Sequence, residues 1–238
     1  MLIIRSRSYA EKKLLYGKWY HDFKDIGLRT DQYNDRYRLN QSAKQRPITE
    51  FIDRAHSLCR REQGPINGVE MFCADGFYSN YPAGKDSTEM YGVDIDNDSL
   101  TKARLITKLL GHSDRITFEN CDVFKLSGEY DFGICAGGLY HMENPQHLLK
   151  LLTTKIRSAL VIQTVYSLAN TSNDYSETPA PHFTWGCRFS YSYLQRMVKD
   201  AGWKVIDKST NEVLGNVRLE DRGSAYLLCV PMKRWKTR

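Results

Sequence analysis

The sequence predicts a doubly wound α/β fold: a seven-stranded, mostly parallel sheet with its last strand reversed, preceded by a helical leader. Two stretches and one rhythm carry that expectation. In Gly68-Val-Glu-Met-Phe-Cys-Ala-Asp-Gly76 a short, mostly apolar run stops at the turn residues Asp75 and Gly76, as a buried strand entering a tight loop does. Tyr91-Gly-Val-Asp-Ile-Asp96 repeats the pattern and carries an acid, Asp94, near its end. From there apolar runs alternate with helically spaced ones, and returns of this length build a parallel sheet with right-handed crossovers. A carboxylate at a strand tip, beyond a small-residue turn, marks the nucleotide-binding half of such folds and is placed to hold the hydroxyls of a ribose.

Size and composition set the frame. A chain of 238 residues is ample for one core and short for two. The expected division is a helical, basic cap over residues 1–64 and a nucleotide-binding domain over 65–238. With 41% hydrophobic residues and no long apolar run, no membrane span is expected. Met1-Leu-Ile-Ile breaks at Arg5, which does not read as a signal peptide. Six cysteines without a CxxC pair read as reduced thiols of a cytoplasmic protein, and no metal site is expected. Of the 34 Lys and Arg, 14 lie in residues 1–65 beside 8 of the 28 Asp and Glu, so the whole net charge of +6 belongs to the leader. Such a balance either steers an anionic partner or is a solvated helical surface.

In the leader, Leu14, Leu15, Trp19, Tyr20 and Phe23 predict a helix over Tyr9–Phe23, and Ile48, Phe51, Ile52, Ala55 and Leu58 another over Arg46–Cys59. Asp25–Ser42 lacks periodicity and reads as a polar loop. After the second strand, Asn97 or a neighbouring Asp caps a helix bearing Leu100, Ala103, Ile106 and Leu110, and Gly111 ends it. Ile116–Asp122 is a third strand, again closing on an acid, and Tyr130–Ala136 a fourth. That one opens into Gly137-Gly-Leu-Tyr-His141, and Asn144 with Pro145 starts the next helix. Ala159–Val165 is a fifth strand. Tyr166–Phe189 is polar, aromatic and aperiodic, and loops of this length in compact domains are usually functional. Ser190 caps a helix with Leu194, Met197, Val198 and Ala201 on one face. Trp203–Lys208 and Ser224–Met232, joined without a helix, are antiparallel.

In order and spacing, Val69-Glu-Met-Phe-Cys-Ala-Asp-Gly76, Gly92-Val-Asp-Ile95, Asn120-Cys-Asp122 and Asp131-Phe-Gly-Ile-Cys-Ala-Gly-Gly-Leu-Tyr-His141 resemble the motifs of class I S-adenosylmethionine-dependent methyltransferases. The resemblance spans roughly residues 65–232 and implies their Rossmann-like methyltransferase fold, with S-adenosylmethionine as cofactor. It further implies that Phe72, Cys73, Ala74, Asp75 and Gly76 lie against the methionine portion and ribose, with Glu70 or Asp75 near the amino group. Asp94 would accept both ribose hydroxyls and Ile95 lean on the adenine. Asp122 would accept from the adenine amino group, the Val123 amide donate to a ring nitrogen, and Ala136, Gly137 and Gly138 line the sulfonium side. The first motif departs from the family's glycine-rich turn: Phe72 and Ala74 stand where glycines are usual, and a positive φ at position 72 would strain a phenylalanine.

Methyl transfer asks mainly for alignment, exclusion of water and sometimes a base. Tyr140 and His141 follow the fourth strand and are the catalytic candidates, His141 as a base near neutral pH. The alternative is that His141 only satisfies its loop. Acceptor recognition falls to residues 166–189 and the leader: Arg188 would grip a carboxylate or phosphate, His182 and Trp185 stack on a ring, with Tyr20 and Arg46 behind them. The acceptor is therefore expected to be a small molecule, anionic or aromatic, methylated on oxygen or nitrogen. The Leu139-Tyr-His141 turn is also similar, patchily, to tRNA wobble-uridine methyltransferases, which keeps RNA as the alternative partner. Two further alternatives are an NAD(P)-binding reductase, for which Tyr81-x-x-x-Lys85 is a formal match, and a cofactor-binding protein without transfer activity.

Overall fold

The computed structural model describes residues 15–59, 64–85 and 87–232. The Met1–Ile4 run, the first part of the expected Tyr9–Phe23 helix and the basic Lys233–Arg238 tail lie outside them. The central sheet has seven strands: β1 Ile66–Met71, β2 Thr88–Asp94, β3 Ile116–Asn120, β4 Tyr130–Ala136, β5 Ile156–Tyr166, β6 Trp203–Glu212 and β7 Gly223–Pro231. They lie in the order β6-β7-β5-β4-β1-β2-β3. β1 to β5 pair in parallel, whereas β7 runs antiparallel to both β5 and β6. The winding reverses between β1 and β4, and such a reversal opens a crevice at the carboxyl ends of the strands.

Among the described residues five α-helices cover the sheet: α1 Asp35–Leu58, α2 Phe77–Ala83, α3 Asn97–Leu110, α4 Pro145–Lys155 and α5 Tyr191–Asp200. Alternation along the strands divides the core in two. Phe132, Ile134, Tyr226 and Leu228 face the side of α1, α2 and α3, where Ile48, Phe51, Ile52, Phe77 and Ile106 meet them. Val69, Met71, Ile162 and Leu227 face the other side, against Leu148, Leu149 and Leu152 of α4 and Leu194 and Val198 of α5. The caps are those the residue types favour: the Asp96, Asn144 and Ser190 side chains accept from Asp98, His147 and Tyr193 amides, and Gly111 ends α3 at φ 77°.

The leader departs from expectation. Residues 16–23 are not helical: Lys18–Trp19 pairs in parallel with Asp31–Gln32, and Trp19 and Phe23 are fully buried. Half of the expected Asp25–Ser42 loop is helix, because α1 starts at Asp35 under an Asn34 cap and runs through Pro47 to Leu58. Its apolar stripe begins only at Ile48. The preceding turns are held by Gln41, whose Oε1 accepts from the Asp22 amide at 2.7 Å while its Nε2 donates to the Asp22 carbonyl at 2.8 Å. A buried glutamine with both ends satisfied replaces the hydrophobic residue that periodicity seeks.

Tyr81 and Lys85 both reach Asp53 of α1, at 3.0 and 2.7 Å; the pair ties α2 to α1 rather than serving a reductase. Five of the six free cysteines are buried and Cys121 half-buried. Among the described residues no helix is long and apolar enough to cross a membrane.

Candidate active site

The tips of β2 and β3 are adjacent. The Cys121 amide donates to the Asp94 carbonyl at 3.0 Å, so Asp94 and Asp122 stand side by side on one rim of the sheet. Asp94 Oδ2 accepts the Ala74 amide at 2.9 Å and Oδ1 the Asp96 amide at 3.0 Å. Each oxygen uses one direction and keeps another free. Asp122 Oδ1 accepts the Phe124 amide at 3.0 Å and caps the short turn that begins at Val123. Between the two acids Ile95 is 76% exposed, a large apolar side chain left uncovered on a polar rim.

The loop after β1 keeps the backbone a glycine turn would adopt, with Phe72 at φ 58° and Ala74 at φ 46°. Left-handed conformation costs an L-residue about 1–2 kcal/mol, and packing holds it here: the Phe72 ring lies against Gly138, where an added Cβ would collide with it. Under the loop, Glu70 is buried and accepts the Ser79 hydroxyl; burial, ahead of the nearby Asp75 and Asp94, raises its pKa well above the usual range. Asp75 is buried as well, held by His21 of the leader. Cys73 donates its amide to the Val93 carbonyl, and Gly76 begins α2.

Beyond Ala136, Gly137 turns at φ 79° and the chain enters the Leu139–His141 turn. This turn forms one wall of a cleft of about 510 Å³. A second wall is the α1 face carrying Arg36, Asn40 and Lys44, positions four apart that a helix aligns, with Tyr37 beside them. The third comes from the 166–189 segment through Phe183, Trp185 and Arg188, and the fourth from the β6–β7 loop through Asn216, Arg218 and Asp221. The loop sits on α1 so closely that a Cβ on Gly215 would lie 2.5 Å from the Arg36 carbonyl, and Asn40 Nδ2 donates to Asn216 Oδ1 at 3.0 Å.

Tyr20, Tyr140, His141, Trp185 and Arg188 thus converge on the cleft. His182 and Arg46 do not line it: His182 is exposed, and Arg46 points outward to pair with Glu50. Arg188 is buried and fully engaged, with Nε on Asp221 at 2.6 Å and Nη1 on the Cys187 carbonyl at 2.7 Å. His141 stacks on Trp185 with centroids 5.1 Å apart and planes 16° from parallel. His141 is exposed at the mouth of the cleft; desolvation by the rings packed on it, then the charges of Arg188 and Lys44, hold its pKa down to about 4. Burial pushes the Tyr20 and Tyr140 phenols up to about 12.

Sequence reasoning did not find Arg36, Lys44, Phe183, Arg218 or Asp221. Phe183 had a signal, lying in the aperiodic aromatic segment. Arg36 and Lys44 were hidden by the polar composition that disguised the start of α1.

Residues 66–202, more than half the chain, match the family model described as a methyltransferase domain. The N-terminal domain of EvdMO1, crystallised with S-adenosylhomocysteine bound, superposes with a TM-score of 0.67 at 19% identity, over 93% of this chain and 94% of that one. The magnesium protoporphyrin IX methyltransferase of Synechocystis PCC 6803, with bound S-adenosylmethionine, superposes with a TM-score of 0.63 at 16% identity, over 97% and 96%. The cyclase SpnF shares the architecture too, with a TM-score of 0.59 at 14% identity over 77% and 80%. At such identities the likeness is one of fold. An uncharacterized protein of Synechococcus sp. is 34% identical over 88 residues, 35% of this chain, and the chain spans about a fifth (21%) of that relative's length.

Proposed function

The chain belongs to the methyltransferase domain family, and from that premise we propose that it moves the methyl group of S-adenosylmethionine onto an oxygen or nitrogen of a small molecule held in the cleft. The observation that carries this reading is the pairing of Asp94 and Asp122 on neighbouring strand tips, with exposed Ile95 between them. The residues present fit the cofactor's adenosine. Asp94 retains one free acceptor direction on each oxygen for two ribose hydroxyls, Ile95 offers an apolar face to adenine, and Asp122 with the Val123 amide supplies an acceptor beside a donor. The buried Asp75 and the rim acids Asp94 and Asp122 give this edge of the sheet an acidic character suited to a cationic donor.

When bound, the cofactor supplies a methyl group already activated on a sulfonium. The chain's own residues then have modest work. Phe72, packed on Gly138, and Gly137 join the loop after β1 to the Leu139–His141 turn at the cleft. Tyr140 and His141 face the acceptor, and the surrounding aromatic rings hold it in line for the attack. With its pKa near 4, His141 is neutral around neutral pH, accepts a hydrogen bond from an acceptor O–H or N–H, orients the attacking lone pair, and takes up the proton that the O–H or N–H loses and passes it to solvent. The enclosure of the cleft on four sides favours a small molecule over a polynucleotide.

Isothermal titration of the purified protein with S-adenosylhomocysteine tests the reading. Binding is expected, and Asp94→Ala should weaken it about 100-fold or more, the loss of two hydrogen bonds to a charged group. Absence of binding of either S-adenosylmethionine or S-adenosylhomocysteine to the unaltered protein would overturn it.

A further inference from the structure

We propose that the acceptor is an aromatic oxyacid, its ring held by the aromatic walls of the cleft and its carboxylate or phosphate by Lys44 and Arg36. This rests on the transfer reading in taking the cleft as the acceptor's place. The charges lining the cleft do not balance. Four cations reach it, Arg36, Lys44, Arg188 and Arg218, against one carboxylate, Asp221. Asp221 is claimed twice, by Arg188 on Oδ1 and by Arg218 on Oδ2 at 2.8 Å. Arg188, the residue that sequence reasoning assigned to an anion, therefore has its counterion inside the protein.

Lys44 does not. Among the described residues no carboxylate pairs with Lys44, which is half-buried and lines the cleft beside Tyr37 and Tyr140; burial lowers its pKa. An ammonium partly drawn from water without a counterion is costly, and a flexible lysine on an open helix face escapes that cost by reaching fully into solvent. Lys44 instead lies on the α1 face that lines the cleft, two turns from Arg36, which sits over the Tyr37 ring at 5.3 Å. An oxyanion entering there meets one uncompensated charge and one forked donor.

The ring requirement comes from the other walls. Trp185 and His141 stack, Phe183 lies 5.0 Å from Trp185, and Tyr140 lies 4.2 Å from His141. A planar ring fits such faces by offset stacking. The donor edge of the sheet is acidic and the acceptor cleft basic, so each side attracts a partner of opposite charge.

The test uses the full chain saturated with S-adenosylhomocysteine and titrated with 4-hydroxybenzoate, its neutral analogue 4-hydroxybenzamide, and phenyl phosphate. An oxyanion should bind at least about tenfold tighter than the amide, one charge-assisted contact. Lys44→Met should erase that preference and leave S-adenosylhomocysteine affinity unchanged, while Lys44→Arg keeps it. Tighter binding of phenyl phosphate than of the benzoate assigns the oxyanion as phosphate. Equal affinity for acid and amide, a preference surviving Lys44→Met, no probe binding, or displacement of the benzoate by a short RNA would each overturn the proposal. Failure of S-adenosylhomocysteine to bind would instead strike the transfer reading, and the acid–amide comparison can be run without it.

Discussion

The backbone N–H of His21 donates to Asp75 Oδ2 at 2.8 Å, and His21 Nδ1 lies 2.5 Å from Asp75 Oδ1. Both residues are buried and 54 positions apart. This clasp fastens the leader to the loop that follows β1. Because Tyr20 lines the cleft, it also couples the cleft wall to the loop that holds Asp94. Phe77 continues the contact, its ring 5.1 Å from that of His21.

Cutting the clasp should cost stability. His21→Ala leaves one Asp75 oxygen without a partner in a dry site, a loss of about 1–3 kcal/mol. Urea unfolding of parent and variant measures it. S-adenosylhomocysteine affinity should fall in parallel, since the same loop holds Asp94 through Ala74. Unchanged unfolding midpoints would show that the clasp carries nothing.

Phe72 and Gly138 should behave as one unit. Gly138→Ala drives a Cβ into the Phe72 ring and is expected to destabilise by about 1–3 kcal/mol through overpacking. In a Phe72→Gly background the same change should be nearly neutral, and the left-handed strain at position 72 disappears as well. A double-mutant cycle by chemical denaturation reads the coupling, expected at about 0.5–3 kcal/mol. Simple additivity would separate the two residues.

His141 sets a pH dependence of known sign. Its pKa is about 4 in the folded chain against 6.5 ordinarily, so between those values the unfolded chain holds more protons. The contribution of His141 to stability is then present above about 6.5, declines as pH falls through the window and is lost below about 4; because the ring is exposed at the cleft mouth, solvent screening keeps that contribution small. His56 and His112, also held low by burial, act in the same direction. His141→Gln should therefore flatten this slope without abolishing it, as unfolding midpoints across the window would reveal. The transfer rate should show no inflection near 6.5 from His141, and a parent–variant difference appearing there would contradict the neutral-imidazole role.

Much of the rim is legible in the order of residues alone. Asp94 and Asp122 end apolar runs of period two, Gly137 and Gly138 follow the fourth such run, and Ser190, Asn144 and Gly111 mark helix ends by residue type. These features are local: a strand's alternation and a cap's side chain act over a few residues, so the chain states them in order. The parallel order of β1 to β5 follows from the same local signals together with the handedness of crossovers.

What stays hidden depends on contacts across the chain. The first turns of α1 are helical because Gln41 satisfies the Asp22 backbone, and Lys44 faces the cleft only because that helix exists. Asp221 neutralises Arg188, 33 positions away, and Asn216 meets Asn40 at a separation of 176. Hence the sequence by itself determined the sheet, its reversal and the acids on its rim, whereas tertiary packing decided which cations are compensated and which line the cleft. Periodicity is written along the chain; desolvation and charge pairing arise only when distant segments close on each other.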